Sequence, residues 1–284
     1  MKRDIKYEIQ PYVKISRPAN LLLVAMVVLI TATLFTPFPN FWRVLLSIMT
    51  VVFITAAGNT LNDLCDIEID KINKPDRPLP SGKLSEEGAK AFMISMFVLG
   101  NLSALVLGFW SLFISLFVAT PLLIWYAYRL RHIALVGNIL VAFLSAMTFI
   151  YAAQAYGNMS LGYIPAVFTF IISVAREVIK DLEDLEGDSA HDSKTLPVII
   201  GETPTRMIAA VIAIFILPIL PFPFVTGMYG KWTIIVGLIG VVLPLIAIIV
   251  QLTQIKREID YHQIASILKI IMFIGLFAIF LGRF

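Results

Sequence analysis

The chain has a single cysteine, Cys65, among 284 residues. One thiol excludes an internal disulfide and leaves the redox compartment open; amid carboxylates it reads as a small apolar filler. Charge is scarce as well. Asp, Glu, Lys and Arg make up 14% of the residues, against about 25% in soluble domains, which excludes an ordinary globular chain. Linkers and low-complexity tracts are absent, so a single helical membrane domain over residues 1–284 is expected. Most apolar segments lack a charged residue midway along, so no ionisable relay crosses the bilayer, which argues against a transporter. The basic start MKRDIKYEIQPYVKISRP is similar to a secretory leader, but the following apolar run is too long and lacks an A-x-A site, so cleavage is not expected.

Apolar residues fill the chain instead, at 59%. Stretches near the ~20 residues that cross a bilayer recur at 17–36, 41–61, 89–107, 110–127, 133–152, 161–180, 205–222, 232–252 and 264–282. The expected fold is all-α, a multi-pass bundle of about nine transmembrane helices, with Pro121 and Pro218 interrupting two of them. With the N-terminus inside, 19 of the 22 basic residues fall on the inner face, leaving Arg43, Lys231 and Arg283 outside. All 19 carboxylates also fall inside, which the positive-inside rule does not require. The working face is therefore expected to be cytoplasmic.

Two inner loops, 63–88 and 181–204, are much longer than the rest, and each opens on an acidic segment: NDLCDIEID at 62–70 and DLEDLEGD at 181–188. They follow the second and sixth helices. That four-helix interval suggests a duplication in which two bundles present acids to a shared central cavity under two cytoplasmic-side cap loops. Asn62, Asp66 and Asp70 are spaced i, i+4, i+8, and Asp181, Asp184 and Asp188 i, i+3, i+7, so each set lines one helical face. Stacked like charges near a helix C-terminus oppose both each other and the macrodipole. A divalent cation relieves both, and Mg²⁺ prefers carboxylate oxygens completed by water and substrate phosphate. Beyond the first set, Lys71, Lys74, Arg77 and Lys83 interleave with prolines in KINKPDRPLPSGK. This basic loop suits a diphosphate, and Arg77, flanked by prolines, is expected in a fixed extended backbone. Arg176 and Lys180 end the sixth helix. Their plain alternative is snorkelling to headgroups.

These residues resemble a family. NDLCDIEIDKINKPDRPLPSG is similar to the first signature of the UbiA superfamily of intramembrane prenyltransferases, DLEDLEGD with KTLP to its second, and SRPAN at 16–20 to its entry to the first helix. REVIKDLEDLEGD and NKPDRPLPSGKLS look most like archaeal digeranylgeranylglyceryl phosphate synthases, which add a second geranylgeranyl chain to geranylgeranylglyceryl phosphate. The resemblance implies that Asn62, Asp66 and Asp70 hold one Mg²⁺ and Asp184 and Asp188 a second, with Asp63 and Asp181 in support. Asp66, Asp70, Asp184 and Asp188 would be the catalytic acids. Lys71, Arg77 and Lys180 would hold the diphosphate. Glu68 stands where many relatives carry Asp and is not assigned a metal. Arg17 and Arg129, with Lys14, Arg131 and His132 nearby, are candidates for an acceptor phosphate. Phe143, Phe149, Tyr151 and Phe168 are candidates to line the prenyl channel. The implied partners are a prenyl diphosphate, a lipid acceptor and membrane lipids, with no nucleic acid. Prenylation of an aromatic acid, quinone precursor or haem is the open alternative; oligomeric state is not legible.

Overall fold

The computed structural model describes residues 5–130, 133–190, 193–221, 230–254 and 259–282; Arg131 and His132 lie outside them. Among the described residues thirteen helices follow in order: α1 Ile5–Ile15, α2 Pro18–Thr33, α3 Phe41–Cys65, α4 Ile67–Asn73, α5 Glu86–Leu107, α6 Phe109–Tyr128, α7 Val136–Tyr156, α8 Tyr163–Glu183, α9 Leu185–Ala190, α10 Leu196–Ile200, α11 Glu202–Ile214, α12 Lys231–Thr253 and α13 Tyr261–Leu281. Among the described residues no strand forms beyond an isolated pairing of Ile133 with Lys194.

Seven helices among the described residues are long and apolar enough to cross a membrane: α3, α5, α6, α7, α8 with its short 3₁₀ lead-in, α12 and α13. An eighth forms if α1 and α2, which meet at a 60° bend, are taken together. The expected span at 205–222 is helical only over Glu202–Ile214 and then turns. Pro218 removes a backbone donor and Leu217 before it is pushed away from helical geometry; Phe222, the expected end, lies outside the described residues. Pro121, by contrast, does not end its helix. Phe113–Ala119 is wound as a π-helix, and the Thr120 amide donates to Ser115 O, five residues back. This wider turn gives the proline ring room where a regular turn would clash. Thr120 Oγ1 also donates to Ser115 O (2.8 Å), and Ser115 Oγ donates to Asn101 Oδ1 (2.9 Å). α12 repeats the device: Leu238–Val242 is π-helical, with Pro244 in the first turn of the α-helix that follows.

The chain forms two compact units. The first holds residues up to Leu29, Pro39–Arg129 and Gln154–Gly157; the second holds Ile30–Phe38, Leu130–Ala153 and Asn158 onward. In the first unit α3 lies along α5, so closely that a Cβ on Gly100 would stand 2.7 Å from Ile54 Cγ1 and 3.2 Å from the Thr50 carbonyl. Ile15 of α1 packs with Leu79, Leu84 and Ala89 beneath the loop after α4. In the second unit α8 is central. Its Ile172, Val178, Ile179 and Leu182, at helical spacing, belong to one buried core with Ala209 and Ala213 of α11, Leu245 and Ile248 of α12 and Leu268 of α13. α5, α6 and α12 turn most of their surface outward, including Leu102, Val106, Trp110, Phe117, Ile239 and Leu243. Such faces would be untenable in water and are what lipid requires. This is a multi-pass membrane protein.

Candidate active site

Each acidic segment is built around a break in a long helix. α3 ends at Cys65, Asp66 takes φ −102°, ψ 7°, and α4 begins at Ile67. α8 ends at Glu183, Asp184 takes φ −91°, ψ 5°, and α9 begins at Leu185. This is the bridge region, where many active-site residues sit. The i→i−4 ladder survives the break: Asp66 N donates to Asn62 O (3.0 Å) and Asp70 N to Asp66 O (2.7 Å), while Asp184 N donates to Lys180 O and Asp188 N to Asp184 O, both at 2.9 Å. The spacing therefore keeps the acids aligned, but the expectation that both sets crowd helix C-termini needs correction. Asp70 and Asp188 lie in the first turns of new helices, the end of the dipole that favours anions.

In the first unit Asp63 and Asp70 are buried, each 4% exposed, and paired with arginine. Arg17 Nη2 lies 2.5 Å from Asp63 Oδ1, and Arg77 Nη1 lies 3.3 Å from the same oxygen and 2.5 Å from Asp70 Oδ2. Two guanidinium groups and two carboxylates thus offset one another where neither sign would be stable alone. Arg77 stands between two turns. Its amide donates to Lys74 O and its carbonyl accepts from Ser81 N, both at 3.0 Å, so the prolines flank consecutive turns. Lys71 is exposed and pairs with Glu68 at 2.6 Å. Asn62 and Asp66 are half-buried, as is Cys65 at the end of α3; Arg129 is exposed at the end of α6.

In the second unit Asp181 accepts from Asn138 Nδ2 of α7 at 2.8 Å. Glu177 holds Arg176 at 2.8 Å and Lys180 at 3.5 Å. Asp184 is exposed and Asp188 half-buried. Glu183 faces His262 of α13, 2.7 Å away. Of the aromatic candidates, Phe149 and Tyr151 are buried, Phe143 is partly exposed, and Phe168 packs on the α8 core and against Gly275.

The donor set fits magnesium. Asn62, Asp66 and Asp70 in one unit and Asp184 and Asp188 in the other are hard oxygen donors. Among the described residues no three His, Cys, Asp or Glu side chains form a closed ligand cage. Mg²⁺ needs none, since it binds through one or two carboxylates and takes water and substrate phosphate for the rest. Two residues escaped the sequence reading: Asn59 donates to the Ser16 carbonyl at 2.8 Å, and Asn138 holds Asp181, while Arg17, expected at an acceptor phosphate, reaches Asp63. Asn59 had a signal, lying one turn before Asp63; Asn138 had none, because only the fold brings α7 to α8.

The model of the UbiA prenyltransferase family matches residues 21–277. The chain belongs to the UbiA prenyltransferase family. It is similar to the digeranylgeranylglyceryl phosphate synthase of Methanosphaera stadtmanae, at 32% identity over 96% of this chain and 98% of that one, and to that of Thermococcus kodakarensis, at 38% over 73% and 75%. A solved structure of a digeranylgeranylglyceryl phosphate synthase superposes with a TM-score of 0.79 at 30% identity, covering 97% of this chain and 98% of that one. A UbiA homologue from Archaeoglobus fulgidus, bound to GPP and Mg²⁺, shares the fold with a TM-score of 0.69 at 18% identity over 95% and 98%.

Proposed function

We propose that the chain, as one domain over residues 1–284, is a magnesium-dependent prenyltransferase. It moves a geranylgeranyl group from geranylgeranyl diphosphate to geranylgeranylglyceryl phosphate, forming digeranylgeranylglyceryl phosphate and diphosphate for ether-lipid synthesis. The observation that carries this reading is the pair of aspartate-jointed motifs, in a chain similar over nearly its whole length to synthases of that name.

In the first unit Asn62, Asp66 and Asp70 hold one Mg²⁺; in the second Asp184 and Asp188 hold another, with Asp181 fixed by Asn138. Magnesium, when bound, neutralises the charge that develops on the departing diphosphate. Arg77 presents its remaining N–H groups to phosphate oxygens, a planar fork already oriented by Asp63 and Asp70. Lys71 in the first unit and Lys180 in the second are point charges available to phosphate oxygens once they leave Glu68 and Glu177. The allylic C–O bond breaks with its electron pair going to diphosphate. The acceptor hydroxyl forms the new C–O bond and releases its proton. Apolar side chains, with Phe149 and Tyr151 among them, keep water from the cation. Asp63 serves the arginines rather than a metal. Arg17 has one guanidinium nitrogen on Asp63 and about a third of its side chain exposed, so its other donors and those of Arg129 suit the acceptor monophosphate. The site faces the cytoplasm at the cell membrane.

Purified protein in detergent or liposomes is incubated with Mg²⁺, geranylgeranyl diphosphate and a panel of acceptors, and products are read by mass spectrometry. Digeranylgeranylglyceryl phosphate is the expected product. Efficient prenylation of an aromatic acid or quinone precursor, with none of the phosphorylated acceptor, would move the chain elsewhere in the family.

A further inference from the structure

We propose that Asn59, a residue outside both acidic motifs, is a positioning residue for the active site, acting through Arg17. The inference rests on the reading that Arg17 and Asp63 belong to that site.

At the 60° bend between α1 and α2 the helical ladder is interrupted. Arg17 N donates to Lys14 O, and Asn20 N and Leu21 N both turn to Arg17 O. In an unbroken helix the amide of Asn20 would satisfy the carbonyl of Ser16. Here that carbonyl is orphaned, on a residue only 6% exposed, where an unpaired acceptor is costly. Asn59 of α3, itself 9% exposed, donates its Nδ2–H to this carbonyl at 2.8 Å. The next residue, Arg17, is left-handed, with φ 57°, a conformation that a residue with a side chain keeps only when its surroundings impose it. Pro18 follows, fixing the first turn of α2. From this held backbone the Arg17 guanidinium reaches Asp63, one helical turn beyond Asn59 on α3. Two contacts from successive turns of α3 thus clamp the bend. Asn59 fixes the backbone from which Arg17 projects, and Arg17 fixes Asp63, the carboxylate it shares with Arg77.

The clamp is tested without metal or substrate by pulsed electron spin resonance. Nitroxides go on Ile9→Cys in α1 and Leu29→Cys in α2, both exposed, in a Cys65→Ser background. One narrow distance is expected with Asn59 present. Asn59→Leu, nearly isosteric but without the donor, is expected to lengthen or broaden it, and Asn59→Ala is measured alongside in case leucine prevents insertion. An unchanged distance in both variants overturns the proposal. Kinetics supply the second arm. Arg17→Ala and Asn59→Leu are each expected to lower kcat/KM tenfold or more, and the double variant is expected to be no worse than Arg17→Ala alone. Fully multiplicative losses overturn the path through Arg17. A loosened bend with Arg17→Ala fully active would leave the clamp standing and sink the catalytic reading of Arg17 instead.

Discussion

Asp66 and Glu68 are two residues apart, yet the structure gives them different work. Glu68 points outward to Lys71, both side chains more than half exposed, and such a surface pair contributes about 0–1 kcal/mol. Asp66 is the joint between α3 and α4. Glu68→Ala should therefore leave turnover within a few-fold of the parent. Asp66→Asn or Asp188→Asn should lower kcat by on the order of 10²-fold or more, since a lost metal contact in the transition state costs several kcal/mol. Steady-state assays across a Mg²⁺ titration, with chelator as the zero point, measure all three. Full activity in excess chelator would end the magnesium assignment. For the acceptor, Arg129→Ala should raise the apparent KM for geranylgeranylglyceryl phosphate while barely moving that for geranylgeranyl diphosphate, because a charge-assisted contact to phosphate contributes roughly 1.5–3 kcal/mol. Equal effects on both substrates would place Arg129 at the diphosphate or in the scaffold. The acids and Arg77 were readable from the chain because their spacing is local and survives the break at Asp66. The Arg17–Asp63 pair was not, since it joins positions 46 apart and depends on a left-handed residue that no local pattern announces.

The helices follow from hydropathy except where prolines intervene, and there the outcome depends on what surrounds each proline. Pro121 is preceded by Ser115 and Thr120, whose hydroxyls, with Asn101, take up the polar groups that a π-turn disturbs; intramembrane hydrogen bonds of this kind contribute about 0.6–1.7 kcal/mol each. The span continues. Around Pro218 the sequence offers Pro221 and no such hydroxyl partner nearby, and the helix stops at Ile214. Hydropathy alone reads both as interrupted spans of equal standing, so it could not separate them. Similarly, the breaks at Asp66 and Asp184 are invisible to a periodicity that continues through them. Close packing makes a further demand on α5. A side chain at Gly100 would meet the Ile54 side chain and the Thr50 carbonyl, and backbone cannot rotate aside. Gly100→Leu should force α3 from α5 and lower stability by about 1–3 kcal/mol or more, read as a fall in apparent Tm in detergent. Gly82, where an added Cβ meets nothing within 4 Å, supplies the control: Gly82→Asn, able to take the same positive φ, should leave Tm nearly unchanged.

At the scale of the whole molecule, orientation is set by charge. The acidic motifs open the loops at 63–88 and 181–204; in an alternating order of nine spans the basic residues would partition 19 to 3 in favour of the face those loops share, and Arg43 and Lys231 would open helices that begin on the other face. Lys and Arg near the ends of spans resist translocation, whereas Asp and Glu contribute little to that choice. Acids that share a face with the basic residues do so for a reason other than topology, and the proposed function expects both motifs on the side where water-soluble diphosphate is released. Trp42 and Trp232 stand exposed at the first turns of α3 and α12, where an aromatic ring suits the opposite interface. Ser81, exposed in the turns after Arg77, reports the inner side. In a Cys65→Ser background, Ser81→Cys in intact cells should resist an impermeant maleimide and label once the membrane is opened, while Trp42→Cys should label from outside without permeabilisation. The reverse pattern would invert every loop at once and place both acidic motifs outside, where neither the charge partition nor the proposed supply of diphosphate substrate could be maintained.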